Sequence, residues 1–356
     1  MPINFDYNQL NKKNFNEFYL RSIIGQGAMG VVYRATDTKL NREVALKILK
    51  KEVLGNDDNI IKRFQREAQN VAKLKHTNII DVYSIGRYDG FNYIAMEYVD
   101  GKKLSDILNN KLDFNYIIDI MYLVCKAIQY SHKHGILHRD IKPANIMISI
   151  TGEIKIVDFG LSKSNALELS KISQHGDIIG TPVYMSMESL ENSESATEKS
   201  DVYALGVVFY ELLTQQLPFI GKTSNELYKN ILLGHYVEAN KIDPTIPIEI
   251  NNLINNMLKK EHYLRVSLDT IISTLKKYID FDKEDLSLSD SFFGKNNITG
   301  NDIGSIPTHI NRQTSGGSVS EKLYSDYISR ERFLTRTLSV ILALGSVLGA
   351  IYWYLN

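Results

Sequence analysis

The chain has 356 residues, 41 Lys and Arg against 41 Asp and Glu, and one cysteine. Balanced charge argues against a nucleic-acid partner and against an acidic disordered protein. A lone Cys125 allows no disulfide within the chain and suits a reducing compartment.

Residues 1–17 are polar and Asn-rich, which predicts a loosely held arm with no basic-then-apolar leader. Phe18 to Ile24 alternates like a strand. It runs into Gly25-Gln26-Gly27-Ala28-Met29-Gly30-Val31-Val32-Tyr33, which reads strand, glycine-rich turn, strand. Glycines let the backbone approach phosphate oxygens closely. A dinucleotide fold requires a helix after the glycines; here a strand continues, which favours a hairpin lid over a nucleotide. Val44-Ala45-Leu46-Lys47-Ile48-Leu49 is a further strand with one lysine among apolar residues, costly to bury without an anionic partner. Ile61, Phe64, Ala68 and Val71 then fall at helical spacing, with Glu67 at the edge of the stripe as the expected partner of Lys47.

Tyr93 to Val99 is an apolar strand that ends at Asp100-Gly101 and joins a strand-rich lobe to a helical remainder. Leu104–Leu108 and Tyr116–His132 read as helices, the second apolar nearly all round. Cys125 lies within it as a buried, inert thiol, and His132 and His134 at its end read as structural.

The chemistry is concentrated in Ile136-Leu137-His138-Arg139-Asp140-Ile141-Lys142-Pro143-Ala144-Asn145-Ile146-Met147. Polar residues sit in a loop between two short apolar strands. Eighteen positions after Asp140 comes Asp158-Phe159-Gly160, led in by Ile154-Lys155-Ile156-Val157. Two carboxylates and a carboxamide on adjacent loops can hold a divalent cation and leave one carboxylate to orient a hydroxyl, which is the equipment of phosphoryl transfer.

From Phe18 to Ile279 the chain resembles the eukaryotic-type protein kinases. The resemblance rests on the glycine loop, Val44-Ala45-Leu46-Lys47, His138-Arg139-Asp140, Asn145 and Asp158-Phe159-Gly160, in order and suitably spaced. The wording of the glycine loop is similar to bacterial Ser/Thr kinases. The resemblance implies an α+β, two-lobed protein kinase fold, with an N-lobe over 18–96 and a C-lobe over 100–279. It implies ATP with Mg2+, or Mn2+ in its place, and protein substrates. Asp140 would orient the substrate hydroxyl, with Lys142 beside it, and Asn145 and Asp158 would hold the metal. Lys47, steadied by Glu67, would contact the α and β phosphates. Ile24, Gly25, Gln26, Gly27 and Gly30 would cover the nucleotide. Val32, Ala45 and Met147 would sandwich adenine, the backbone of Glu97 and Val99 would bond its edge, and Met96 would guard the pocket behind it. Lys142 and Thr181, in Gly180-Thr181-Pro182, resemble the Ser/Thr class and argue against a small-molecule kinase.

Where the family ends its activation segment with Ala-Pro-Glu, this chain has Ser186-Met187-Glu188. Glu188 keeps its expected partner Arg265. No catalytic position is lost, which disfavours the rival reading of a catalytically idle ATP-binding scaffold. Arg139 before the catalytic Asp implies control by phosphorylation of the activation segment. Ser173 is the leading site and Ser170 the second, against the plainer reading of both as polar loop residues. Asp201–Leu213 reads as a helix with Asp201 as N-cap, the residue that in the family braces the catalytic loop. Leu227–Leu233, Ile248–Leu258 and Leu268–Tyr278 are further helices.

Residues 280–336 lose apolar periodicity and read as a flexible linker, with a reach of roughly 40 Å for about 55 residues of coil. From Leu338 to Leu355 no residue is charged. As a helix this stretch extends about 27 Å, against a hydrocarbon core of about 30 Å, and it predicts a single C-terminal transmembrane helix. Arg330, Arg332 and Arg336 precede it, which places the kinase side in the cytoplasm, with Tyr352-Trp353-Tyr354 at the far interface. Only Asn356 follows, which implies insertion after translation and no sensor domain beyond. Gly345 and Gly349 form a G-x-x-x-G that either pairs two spans as a homodimer or is tolerated in a lone span.

Overall fold

The computed structural model describes residues 6–27, 30–50, 58–159, 181–192, 195–221 and 223–279. The chain divides into two units, Met1–Asn297 and Ile298–Asn356, and the second lies outside the described residues. So do the expected linker over 280–336 and the expected span over 338–355 with its Gly345 and Gly349. Among the described residues no helix is long and apolar enough to cross a membrane.

The N-lobe is a six-stranded antiparallel sheet. Its strands are β1 (Asn14–Phe15), β2 (Phe18–Gln26), β3 (Gly30–Asp37), β4 (Arg42–Leu49), β5 (Val82–Tyr88) and β6 (Phe91–Glu97), in the order β1-β2-β3-β4-β6-β5. Period-two patterning sets the faces: Val31, Tyr33 and Ala35 of β3 are fully buried while Val32 and Arg34 are half-buried on the other side. Helix α1 (Asp58–Val71) packs Ala68 and Val71 inward.

The segment before β2 departs from the expected loose arm. From Tyr7 it is packed: a short 3-10 turn, Tyr7–Leu10, leads to β1, and Tyr7 and Phe15 are buried. The Tyr33 hydroxyl donates to Tyr7 O at 2.7 Å, and the Phe15 ring lies edge-on to Tyr88 and Tyr93 at 5.0 and 5.7 Å. Aromatic area buried this way offsets the entropy of ordering a polar strand of sequence.

The C-lobe begins with a small antiparallel sheet, β7 (Gly101–Lys103), β8 (Ile146–Ser149) and β9 (Ile154–Ile156), in that order. Its helices are α2 (Leu104–Ile107), α3 (Phe114–Lys133), α4 (Met187–Glu191), α5 (Glu198–Thr214), α6 (Ser224–Leu233), α7 (Ala239–Ile242), α8 (Ile248–Met257) and α9 (Leu268–Lys276). Asp113 caps α3 by accepting from Asn115 N at 2.9 Å. Helix α5 starts three residues before its expected first residue. Thr197, not Asp201, is its N-cap, in a reciprocal capping box with Ser200. Gly206 lets α5 lie against α8, since a Cβ there would stand 2.8 Å from Met257 Cβ.

The stretch before β5 ties the lobes together. Asn78 donates through Nδ2 to Ile154 O at 2.9 Å, and Ile156 N donates to Asn78 O at 2.9 Å. Ile80 N donates to Ile156 O at 3.1 Å.

Candidate active site

Asp140 occupies the loop between α3 and β8. Lys142 Nζ lies 3.0 Å from its Oδ1 and 2.9 Å from its Oδ2, and Asn145 Nδ2 donates to its Oδ2 at 2.9 Å and to its backbone O at 2.8 Å. The carboxylate is therefore aimed by two donors on its own loop and keeps accepting capacity for a third. His138 supports it from below. The imidazole is fully buried and 4.5 Å from the Phe159 ring. Its Nδ1 accepts from Asp140 N at 3.2 Å and its Nε2 lies 3.1 Å from Val157 O. A carbonyl can only accept and an amide can only donate, so the ring is neutral with its proton on Nε2. Burial pushes the His138 pKa down, which favours the same form.

Asp201 holds this loop from α5. Its Oδ2 accepts from His132 Nε2 at 2.8 Å and from His138 N at 2.9 Å, and its Oδ1 accepts from Arg139 N at 2.9 Å. Burial alone would raise this carboxyl; the hydrogen bond and charge of His132, with the His138 contacts, hold it below the usual carboxylate range. Arg139 stands at φ 63°, a left-handed conformation that costs about 1–3 kcal/mol in a non-glycine residue. In that conformation its N–H donates to Asp201 Oδ1.

Asp158 also stands in a left-handed conformation, at φ 59°. Its Oδ1 lies 2.6 Å from Lys47 Nζ. The ion pair seen at Lys47 is therefore with Asp158, whereas the sequence pointed to Glu67. Glu67 sits half-buried on α1 with contacts of its own. Burial would raise the Asp158 carboxyl, but the charge and hydrogen bond of Lys47 bring it below its ordinary value.

An apolar slot lies between the lobes. Ala45, Met96 and Val99 are buried in one cluster, with Val32, Met147 and Val157 packed against it. Strand register sets this: Ala45 is opposite Met96, and Val32 is opposite Lys47. Ile24 at the end of β2 is 43% exposed. Gly25, Gln26, Gly27 and Gly30 flank the turn between β2 and β3, with Ala28 and Met29 outside the described residues. The arrangement offers an apolar slab, a cation beside it and oxygen donors at its edge, which suits a purine nucleotide with its phosphates. Asn145 and Asp158 supply carboxamide and carboxylate oxygens, donors of the class Mg2+ takes. Such a site is completed by substrate phosphates and water, not by a full cage of side chains.

Glu188 and Arg265 meet as expected, in a two-pronged contact of 2.6 Å and 3.1 Å. The Arg265 guanidinium also donates to Lys199 O, Lys259 O and Lys260 O. Burial would raise Glu188; the bond and charge of Arg265, with the Ser200 hydroxyl, hold it at about 2. Thr181 opens a 3-10 turn, Thr181–Tyr184. Ser170 and Ser173 lie outside the described residues.

Three residues escaped the sequence reading as parts of the site. Val157 completes the slot, and the apolar run before Asp158 was its signal. Asn78 fixes the lobe junction, and Lys155 lies 2.7 Å from Glu97. Neither showed any local pattern.

Over residues 18–276 the chain matches the family described as Protein kinase domain. The serine/threonine-protein kinase PrkC of Bacillus subtilis is 36% identical over 77% of this chain and 42% of its own length. The serine/threonine-protein kinase PknB of Mycolicibacterium smegmatis is 42% identical over 58% of this chain and 34% of its own length. The chain thus spans well under half of these curated relatives. Among solved structures, the PknI kinase domain of Mycobacterium tuberculosis superposes with a TM-score of 0.60 at 23% identity. That superposition covers 76% of this chain and 99% of the other, and it speaks to the fold alone.

Proposed function

The chain belongs to the protein kinase domain family, with bacterial serine/threonine kinases as its relatives, and on that premise we propose that it transfers the γ-phosphoryl group of Mg-ATP to Ser and Thr hydroxyls of proteins. The observation that carries this is a pair of contacts, Asn145 on Asp140 and Lys47 on Asp158, made by residues close in the chain to members of the apolar cluster: Lys47 on the strand of Ala45, Asn145 just before Met147 and Asp158 just after Val157. Asp140, aimed by Lys142 and Asn145, orients the attacking hydroxyl and accepts its proton. Lys47 binds the α and β phosphates. Asn145 and Asp158 would hold the Mg2+, which when bound neutralises charge on the phosphates. Little covalent work falls to the protein, so positioning and electrostatics supply the rate.

The chain further phosphorylates its own activation segment, with Ser173 the leading site and Ser170 the second, and the new phosphate pairs with Arg139. It is held at a membrane by residues 338–355, with the kinase unit cytoplasmic, and two copies associate through Gly345 and Gly349. These readings rest on the sequence pattern: the uncharged stretch, the three arginines before it and the serines before Gly180.

The test is phosphate incorporation by the full chain in detergent, phosphatase-treated and then given Mg-ATP, beside Asp140→Asn and Lys47→Met. Phosphoserine or phosphothreonine in the unmutated chain alone is the expected result. Nucleotide binding without incorporation would point instead to an idle scaffold. Active protein unmodified at both Ser170 and Ser173 would remove the self-control reading. Release from membranes by alkaline carbonate would remove the anchor, and unchanged association of Gly345→Ile, Gly349→Ile would remove the paired spans.

A further inference from the structure

Glu97 sits where the two lobes join, and its side chain gathers three chain segments. Its Oε1 lies 2.7 Å from Lys155 Nζ on β9, with the two side chains only 23% and 13% exposed. Its Oε2 accepts from Asp81 N at 3.2 Å, and its own N–H donates to Asp81 O at 2.9 Å. The segment ending at Asp81 is itself stitched to β9 through Asn78, Ile80 and Ile156. Lys155 stands opposite Met147 in the β8–β9 register. One ion pair therefore connects the strand that ends at the edge of the slot to the strand that backs its floor.

We infer that Lys155 is a positioning residue for nucleotide recognition: through Glu97 it sets the spacing between the backbone at the slot's edge and Met147 beneath. The inference rests on the slot being the ATP site. Without Lys155 the Glu97 carboxylate stays half-buried, keeps the Asp81 amide and loses the cation 2.7 Å from its Oε1. Such a charge relaxes by swinging toward water, and the backbone that carries it moves as well. Asp140 is aimed by Lys142 and Asn145, and Asp158 is held by Lys47, through bonds that use neither Glu97 nor Lys155, so the defect falls on binding and spares the transfer step.

The experiment is the dissociation constant of a fluorescent ADP with Mg2+, and the KM and kcat for ATP, on the full chain in detergent. The proteins are wild type, Lys155→Met, Lys155→Arg, Glu97→Gln and Lys155→Met with Glu97→Gln. Lys155→Met is expected to raise the dissociation constant and KM roughly three- to tenfold, with kcat within about twofold. Arginine, which can span the same contact, is expected to restore most of the loss. In the Glu97→Gln background the lysine change is expected to add less than about twofold, because the coupling it reports is gone. Unchanged affinity in Lys155→Met overturns the inference, as does a fall in kcat at unchanged affinity, or an equal loss in both backgrounds. A wild-type chain that binds no nucleotide overturns the ATP-site reading and this inference together, so the two failures are distinguishable.

Discussion

Lys47 and Asp158 are 111 positions apart in the chain and 2.6 Å apart in space, one contributed by each lobe. The contact crosses the cleft and sets a cation on a half-buried carboxyl, holding its pKa below the ordinary value against the opposing effect of burial. Replacing Lys47 by Met removes a fixed charge where phosphate charge must be balanced. The expected loss in kcat is about 10²- to 10³-fold, as for removal of one preorganised donor. Single-turnover phosphate transfer with saturating ATP measures it. A variant within threefold of wild type would contradict the role given to Lys47.

Arg265 has no exposed side-chain surface, and Glu188 is its carboxylate. Arg265→Met leaves that carboxylate without its cation, with an expected destabilisation of about 3–5 kcal/mol by chemical denaturation. Glu188→Gln costs less, because three backbone carbonyls still accept from the guanidinium.

The same pair predicts a pH dependence. The Glu188 pKa is depressed from 4.5 to about 2 in the folded chain. A depressed carboxyl contributes stability that is complete above its unfolded value and is lost as pH falls through its folded one. Between pH 4.5 and 2 the wild type is therefore expected to lose stability more steeply than Glu188→Gln. Melting temperatures across that window check it; parallel curves would refute it.

Asp201 accepts three hydrogen bonds, two of them from the backbone that aims Asp140. Asparagine keeps the shape but has one acceptor oxygen, and its amide confronts an N–H it cannot satisfy. Each buried donor left alone costs about 1–3 kcal/mol. Asp201→Asn is expected to lower both thermal stability and kcat while leaving nucleotide affinity near wild type, because the slot is built from other residues. Calorimetry and nucleotide titration separate these outcomes.

The glycines of the loop answer to different demands. A Cβ on Gly30 would come within 2.5 Å of Ile48 O on the strand that carries Lys47, whereas one on Gly27 meets nothing within 4 Å among the described residues. Gly30→Ala is expected to destabilise the fold by about 1–3 kcal/mol through forced displacement of β4. Gly27→Ala is expected to leave the melting temperature unchanged and to raise KM for ATP. If Gly27→Ala instead melts early, its glycine serves the protein and not the ligand.

Much of this was legible in the chain because its signals are local. The alternation in β3 and the apolar run of α3 gave their elements directly, and the spacing of Asp140, Asn145 and Asp158 announced the site. What stayed hidden depends on partners distant in sequence. Asp201 looked like a cap because it is an acidic residue at the start of an apolar helix, but Thr197 takes that role; the brace on the catalytic loop that the resemblance implied for Asp201 is the reading that holds. Lys47 was matched with Glu67 because that acid edges the apolar stripe of α1, and the anion at 2.6 Å from it arrives from the other lobe. The first segment looked loose because its apolar residues are sparse; Tyr7 and Phe15 suffice, since each finds an aromatic neighbour on the sheet.

Cys125 is the sole thiol of the chain, fully enclosed in α3, and burial pushes its pKa up to about 12. The native fold therefore presents no thiolate to oxidants or alkylating reagents, and thiol-based redox signals have no handle on the kinase unit. The same silence makes the protein a blank background for labelling. A single cysteine placed on the rim of the cleft would carry a probe alone, and opening and closing of the lobes could be followed without removing any native residue.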